Sequence, residues 1–295
     1  MKMLCYGSLN LDRIYRVRRF GQPGESVPAL TFQLGCGGKG LNISLAAAAA
    51  GCEVWHAGKV GPAGAMLIER LIRAGVDTTL ISTSGSATGH AIIQIDENGQ
   101  NQVMVAAGAN HELTPAECAA AVERFSAGDW LLLQNETNCL AQLLELGQKR
   151  GMVIAFNPSP ADENLRRLDL SAVSYLILNY PTGCLMTGRT VPEDICQALL
   201  ARYPEAHITL TLGEQGCLYF TAQEHLAQHG YPAKVVDPTG AGDVFTGYFL
   251  AGLARGAKVE RALRSATKAA ALSVGHSGAA EYVPTPAEVE SAYRL

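Results

Sequence analysis

Residues 130–156, WLLLQNETNCLAQLLELGQKRGMVIAF, hold the fold in miniature. Trp130 to Leu133 is an unbroken apolar run, short enough for a buried strand. Cys139 to Arg150 then repeats its leucines at helical spacing, and Met152 to Phe156 is a second apolar run after Gly151. A strand without polar alternation, joined through a helix to another of the same kind, predicts a parallel sheet covered on both faces.

The pattern extends in both directions. Downstream, Tyr175 to Leu178 and His207 to Leu212 read as strands, and Pro192 to Arg202 and Val244 to Ala254 as helices. Upstream, Met3 to Tyr6 and Val54 to Ala57 read as strands. Leu41 to Ala50 and Met66 to Ala74 read as helices stopped by Gly51 and Gly75. Thr114-Pro115-Ala116-Glu117 opens a helix running to about Phe125. Two segments break the rhythm. Thr88 to Gly108 alternates as a hairpin about Glu97-Asn98-Gly99, and Asp12 to Leu34 carries short β-like pieces. Because a lone ribbon is marginal, these two segments, about 12–34 and 88–108, predict a small β-sheet lid over a site. The expected fold class is α/β: one three-layer domain over 1–295 with a mainly parallel central sheet, plus that lid.

Composition narrows the function. In 295 residues, 48% are hydrophobic and 17% charged, which suits a globular core. A net charge of -4 gives no basic balance toward nucleic acid or an anionic membrane, and the Arg16, Arg18, Arg19 cluster reads as a solvated edge. Eight cysteines without a C-x-x-C pair read as reduced thiols, and seven dispersed histidines offer no structural metal site. The first ten residues lack signal-peptide character, and Leu45 to Ala50 is too short to span a bilayer, so the expected location is cytoplasmic.

Two glycine clusters compete for a phosphate role. Gly35-Cys36-Gly37-Gly38-Lys39-Gly40 matches G-x-G-x-x-G, with Glu53 further on, and admits a dinucleotide-dependent oxidoreductase. Asp237-Pro238-Thr239-Gly240-Ala241-Gly242-Asp243 enters an apolar helix, whose first amides make an anion site. Asp243 beside that site can take a proton from an attacking hydroxyl, or can simply cap the helix.

Taken in order, GSLNLD (7–12), GGKGLN (37–42), TGHAIIQID (88–96), AAGAN (106–110), LLLQNE (131–136), NPSP (157–160), TLGEQG (211–216) and DPTGAGD (237–243) resemble the ribokinase family of sugar kinases, the PfkB group, over nearly the whole chain. The resemblance implies transfer of phosphate from ATP to a sugar hydroxyl, with ribose the first acceptor. Deoxyribose, fructose or a nucleoside are the alternatives, and a non-catalytic sugar-binding homologue is a second class. It implies Asn10, Asp12, Gly38, Lys39, Asn42 and Glu136 around the sugar. Asp243 would be the base, and Gly240, Ala241 and Gly242 the anion hole. Asn179, Thr211, Gly213, Gly216 and Gly242 would meet the nucleotide with Mg²⁺. Asp237 and Thr239, with carbonyls near Gly278 and Ala279, would hold K⁺. The chain departs from the family at Asn179-Tyr180-Pro181-Thr182, where Thr182 stands in place of a glutamate, and at Gly61-Pro62-Ala63-Gly64, in place of acidic residues. A homodimer through the lid is expected, each lid hairpin pairing with its twin across a two-fold axis.

Overall fold

Alternate residues of the first strand enter different cores. Met3 and Cys5 pack into one apolar cluster, and Leu4 and Tyr6 into another. The period of two along a strand sends neighbours to opposite faces, so a run with no polar member needs cover on both sides. The computed structural model describes residues 1–162, 165 and 167–293. In chain order the elements are β1 (Lys2–Tyr6), β2 (Asn10–Val17), β3 (Ala29–Gly37), α1 (Lys39–Ala49), β4 (Glu53–Val60), α2 (Ala65–Arg73), β5 (Asp77–Thr83), β6 (Gly89–Ile95) and β7 (Asn101–Ala106). There follow α3 (Pro115–Val122), β8 (Trp130–Gln134), α4 (Leu140–Arg150), β9 (Val153–Asn157), β10 (Tyr175–Asn179), α5 (Tyr180–Thr187), α6 (Pro192–Arg202), β11 (His207–Thr211), β12 (Gly216–Phe220), β13 (His225–His229), α7 (Ala241–Ala254), α8 (Val259–Ser273) and α9 (Pro286–Ser291).

The large sheet runs β13-β12-β11-β10-β9-β8-β1-β4-β5. From β11 to β5 every pairing is parallel, and β12 and β13 add an antiparallel edge. Helices α1, α7 and α8 supply the cluster on one face, and α3, α4 and α6 that on the other. Helix α7 is apolar all round because it is enclosed, packing against both α1 and α8. The α3 start is the expected capping box: Thr114 accepts from the Glu117 amide, and the Glu117 carboxylate accepts from the Thr114 amide.

A second sheet, β3-β2-β6-β7, stands apart. In register, Asp12 lies opposite Gly35 and Ala91, and Ala91 opposite Val105, so these share a face. Arg13, Leu34, Ile92 and Met104 share the reverse face. Sequence periodicity did not find β5, β12, β13, α5, α8 or α9. Each is short, at an edge, or diluted with alanine and charge.

Candidate active site

The parallel strands end at Tyr6, Gln134, Asn157, Asn179 and Thr211, and the polar residues gather just beyond those ends. Successive pairs move outward from β1 in one direction and from β8 in the other, so the crevice between them is a topological switch point. Ser8 follows β1 and Glu136 follows β8. The Ser8 hydroxyl donates to Glu136 Oε2, which also accepts the Lys39 amide at 3.0 Å. Glu136 thereby closes the N-terminus of α1 with a carboxylate, which complements the helix dipole.

That contact removes the dinucleotide alternative. The helix start after the first glycine cluster already holds an anion of the protein itself. Its preceding strand, β3, lies antiparallel in the small sheet, so no βαβ unit exists there. Gly37 serves another purpose: a Cβ there would lie 2.2 Å from Asp12 Oδ2, so glycine makes room for the carboxylate.

Asp243 is 5% exposed in the first turn of α7. Asn42 Nδ2 donates to its Oδ2 at 2.9 Å, and Lys39 Nζ lies 3.8 Å from its Oδ1. The Asp243 carboxylate beside it raises the Lys39 pKa, against the effect of burial. Asn42 Oδ1 is buried and has no hydrogen-bond partner among the described residues, an acceptor that a bound hydroxyl can satisfy. On the other edge, Asn10 and Asp12 share one face of β2. Burial first, and then the charges of Glu136 and Asp237, push the Asp12 carboxyl up to about 7.

Gly240 precedes α7 with φ 79°, in the left-handed region, and a Cβ on it would meet the Ala279 Cβ at 2.5 Å. The turn that aims the first helical amides is therefore pressed against the 278–281 loop. Asp237 ties the two together, accepting the Thr239 amide at 3.0 Å and the Gly278 amide at 2.9 Å. Arg70 of α2 braces the loop from behind, donating from Nε and Nη2 to the Ala280 carbonyl at 2.9 and 2.7 Å. A polar pocket of about 140 Å³ lies at the start of α7, lined by Lys39, Asn157, Ser159, Asn179, Gly242 and Asp243 among others. It shares Thr211 and Gly242 with a cavity of about 750 Å³, bounded by Gly213, Gly216, Tyr231, Phe245 and Val274 among others. Thr182 is buried, and its hydroxyl is 3.1 Å from that of Ser159. Asn179 Oδ1 accepts the Thr182 amide, so Asn179 caps α5 while lining the pocket.

The residues singled out from sequence thus fall into neighbouring groups: Asn10, Asp12, Gly38, Lys39, Asn42, Glu136 and Asp243 at one end, and Asn179, Thr211, Gly213 and Gly216 at the other. Asp237, Thr239, Gly278 and Ala279 lie behind the Gly240–Gly242 turn. Sequence reasoning missed Ser8, Arg70 and Asn110, and for Ser159 it missed the pairing with Thr182. Asn110 lay inside a quoted motif, and its place there was the only signal. Arg70 gave none, because its contact spans 210 positions.

A crevice at strand ends, with a buried carboxylate at a helix start between a polar cage and a larger cavity, defines a group-transfer enzyme. The profile of the pfkB family carbohydrate kinases matches residues 1–286. A ribokinase of Bacillus subtilis is 33% identical, covering 98% of this chain and 99% of its own. A deoxyribokinase of Salmonella typhimurium is 30% identical, covering 97% and 96%. The structure of Arabidopsis thaliana ribokinase complexed with ribose and ATP superposes with a TM-score of 0.85 at 28% identity, over 98% of this chain and 97% of that one. The chain belongs to the pfkB family of carbohydrate kinases. Among the described residues, no helix is long and apolar enough to cross a membrane.

Proposed function

We propose that this carbohydrate kinase moves the γ-phosphoryl group of ATP onto a hydroxyl of ribose, giving ribose 5-phosphate. The observation that carries the reading is the place of Asp243: buried, held by Asn42, and lying between the polar cage and the larger cavity. ATP occupies the cavity bounded by Thr211, Gly213 and Gly216, with its phosphates toward Asn179 and the Gly240–Gly242 turn. Ribose lies among Asn10, Asp12, Gly38, Lys39, Asn42 and Glu136. Full-length similarity to proteins named ribokinase supports the acceptor.

Phosphoryl transfer asks the protein for alignment and charge stabilisation more than for covalent chemistry. Asp243 takes the proton of the attacking hydroxyl. At the positive end of the 14-residue α7 the Gly242 amide holds the charge that develops on the phosphoryl oxygens, helped by Lys39 from the same pocket, whereas the Ala241 amide donates to the Pro238 carbonyl at 3.3 Å and shapes the turn. The small sheet, about 12–34 and 88–108, acts as a lid of the single kinase domain and excludes water, the competing acceptor.

Mg²⁺, when bound with ATP, neutralises the phosphate oxygens. Asn157, Ser159 and Asn179, neutral side chains that line the pocket, would hold the waters of an ion that dehydrates reluctantly. Asp237 and Thr239 with the carbonyls near Gly278 and Ala279 would hold K⁺ with oxygen donors alone, beside the loop that Asp237 ties to the anion turn. The enzyme works in the cytoplasm as a homodimer joined through the reverse faces of the two lids. A coupled ATP-consumption screen over ribose, deoxyribose, fructose and nucleosides tests the reading. Ribose should give the highest kcat/KM, and a better nucleoside or hexose would move the assignment.

A further inference from the structure

Asn110 is 1% exposed in the short turn Gly108–His111 after β7, and its side chain makes three hydrogen bonds. Its Oδ1 accepts the backbone amide of Leu9 at 3.0 Å. Its Nδ2 donates to Asn10 Oδ1 at 2.8 Å and reaches the Leu9 carbonyl at 3.4 Å. A peptide N–H can only donate, so the Asn110 atom facing it must be oxygen. The other end must then be nitrogen, and the Asn10 atom it meets must be oxygen. The orientation of both amides follows from one backbone group. Gly89 of β6 closes the pair from below, since a Cβ there would lie 2.1 Å from Asn110 Nδ2 and 2.4 Å from Asn10 Oδ1.

We propose that Asn110 is a specificity-determining positioning residue that holds Asn10 as a hydrogen-bond donor toward the sugar. The inference rests on the sugar-kinase reading above. With its oxygen turned to Asn110, Asn10 directs its N–H groups away from that contact. Asp12 stands two residues along the same strand face, about 6–7 Å away at the backbone, and as a carboxylate it only accepts. The face therefore presents donor and acceptor side by side. On the opposite edge Asn42 has the reverse polarity, its nitrogen turned to Asp243 and its oxygen open. A hydroxyl at Asn10 is read by its lone pair and keeps its proton for an acceptor such as Asp12. A sugar carbon lacking that hydroxyl leaves the Asn10 donor unpaired.

Asn110→Asp tests this. Aspartate keeps the shape and still accepts from Leu9, but it cannot donate to Asn10. Asn10 then turns its amide over and shows the sugar an oxygen. On ribose, kcat/KM should fall about tenfold, the scale of one hydrogen bond to a buried group. The loss should lie in the sugar KM, with the ATP KM unchanged. The decisive readout is coupling to the ligand, comparing the two proteins on ribose, 2-deoxyribose and 3-deoxyribose. On the deoxy sugar that lacks the hydroxyl read by Asn10, the two should agree within about twofold. Equal losses on all three sugars would mean general damage to the site and would overturn the proposal, as would no loss on any. If melting shows that Asn110→Asp does not fold, Asn10→Asp places an oxygen at the same point with Asn110 intact, and the same coupling is expected. A native chain that turns over none of the three sugars would instead overturn the ribose reading, and the hydroxyl assignment with it.

Discussion

Helix α7 and the small sheet lie on opposite sides of the same crevice and are built in opposite ways. Every residue from Asp243 to Ala251 is buried, and Gly247 lets α1 approach so closely that a Cβ would meet the Ala46 Cβ at 2.5 Å. In the sheet, Ala29 to Leu34 of β3 and all of β7 are exposed. The helix is held by packing on all sides, whereas the sheet is held chiefly by its own ladder and by its roots at Asn10, Gly37 and Asn110. The contrast fits the tasks assigned above. The phosphoryl end must be aligned before reaction, while the sugar end must admit a ligand and close over it. Exposed apolar side chains on both sides of a four-stranded sheet fit a second partner on the reverse side, where Phe32 is 56% and Met104 64% exposed.

The rigid side should give the largest effect. Asp243→Asn retains shape and the Asn42 contact but removes the proton acceptor, so kcat should fall by roughly 10²–10⁴ while sugar KM changes little. A near-native kcat in steady-state assays would break the division of labour. Asp12, on the side of the small sheet, should do the reverse. Its carboxyl stands at about 7, and the ionised form is the better acceptor. Sugar KM should therefore fall as pH rises from 6 to 8, by up to about tenfold, as the ionised fraction grows. Asp12→Asn should flatten that slope and leave the ATP KM alone. Folding raises this carboxyl, so it costs stability as pH rises from its unfolded value through about 7. Asp12→Asn should thus raise Tm more at pH 8 than at pH 4, and equal shifts would remove the assigned burial cost.

The next effects are smaller. Phe32→Glu puts a charge on the reverse face of the lid, and light scattering should show a dimer becoming a monomer, with sugar KM raised about threefold as the lid loses its support. An unchanged dimer would place the interface elsewhere. Replacing Na⁺ by K⁺ at constant ionic strength should raise kcat about twofold to threefold, if an ion behind Gly240 tightens a turn already braced by Asp237 and Arg70. Indifference to the swap would leave those protein contacts to do the work alone. The smallest change is expected from Thr182→Glu. A carboxylate there would act on Mg²⁺ through water, lowering the half-saturating free Mg²⁺ by about twofold at fixed MgATP, the scale of a screened charge. Superimposable titrations would separate position 182 from the metal's waters.

The two sides also differ in how far they could be read in advance. The α7 turn was legible because glycine, acid and an apolar helix stand in consecutive positions, and local order alone makes an anion site. The β2 and β3 pairing was legible only as β character. Its register, which sets Asp12 against Gly35 and Ala91, joins positions 23 and 79 apart. The first glycine cluster misled for the same reason: its motif is local, but whether it binds a nucleotide depends on the sheet its strand joins. The Arg70–Ala280 and Asn110–Asn10 contacts leave no periodic trace, since each joins residues about 100 positions apart or more.

By itself, the sequence determined the layering, because continuous apolar strands can be buried only between two sets of helices. It also determined that a helix starts beside Asp243, because the glycine conformation that opens α7 at Gly240 is set within a few residues. Only the tertiary structure decided that Glu136 closes α1, that Asn42 and Lys39 converge on Asp243, and that the Leu9 amide sets the polarity of Asn10. Hydrogen bonds discriminate over tenths of an ångström, and such distances between remote segments exist only once the whole chain has packed.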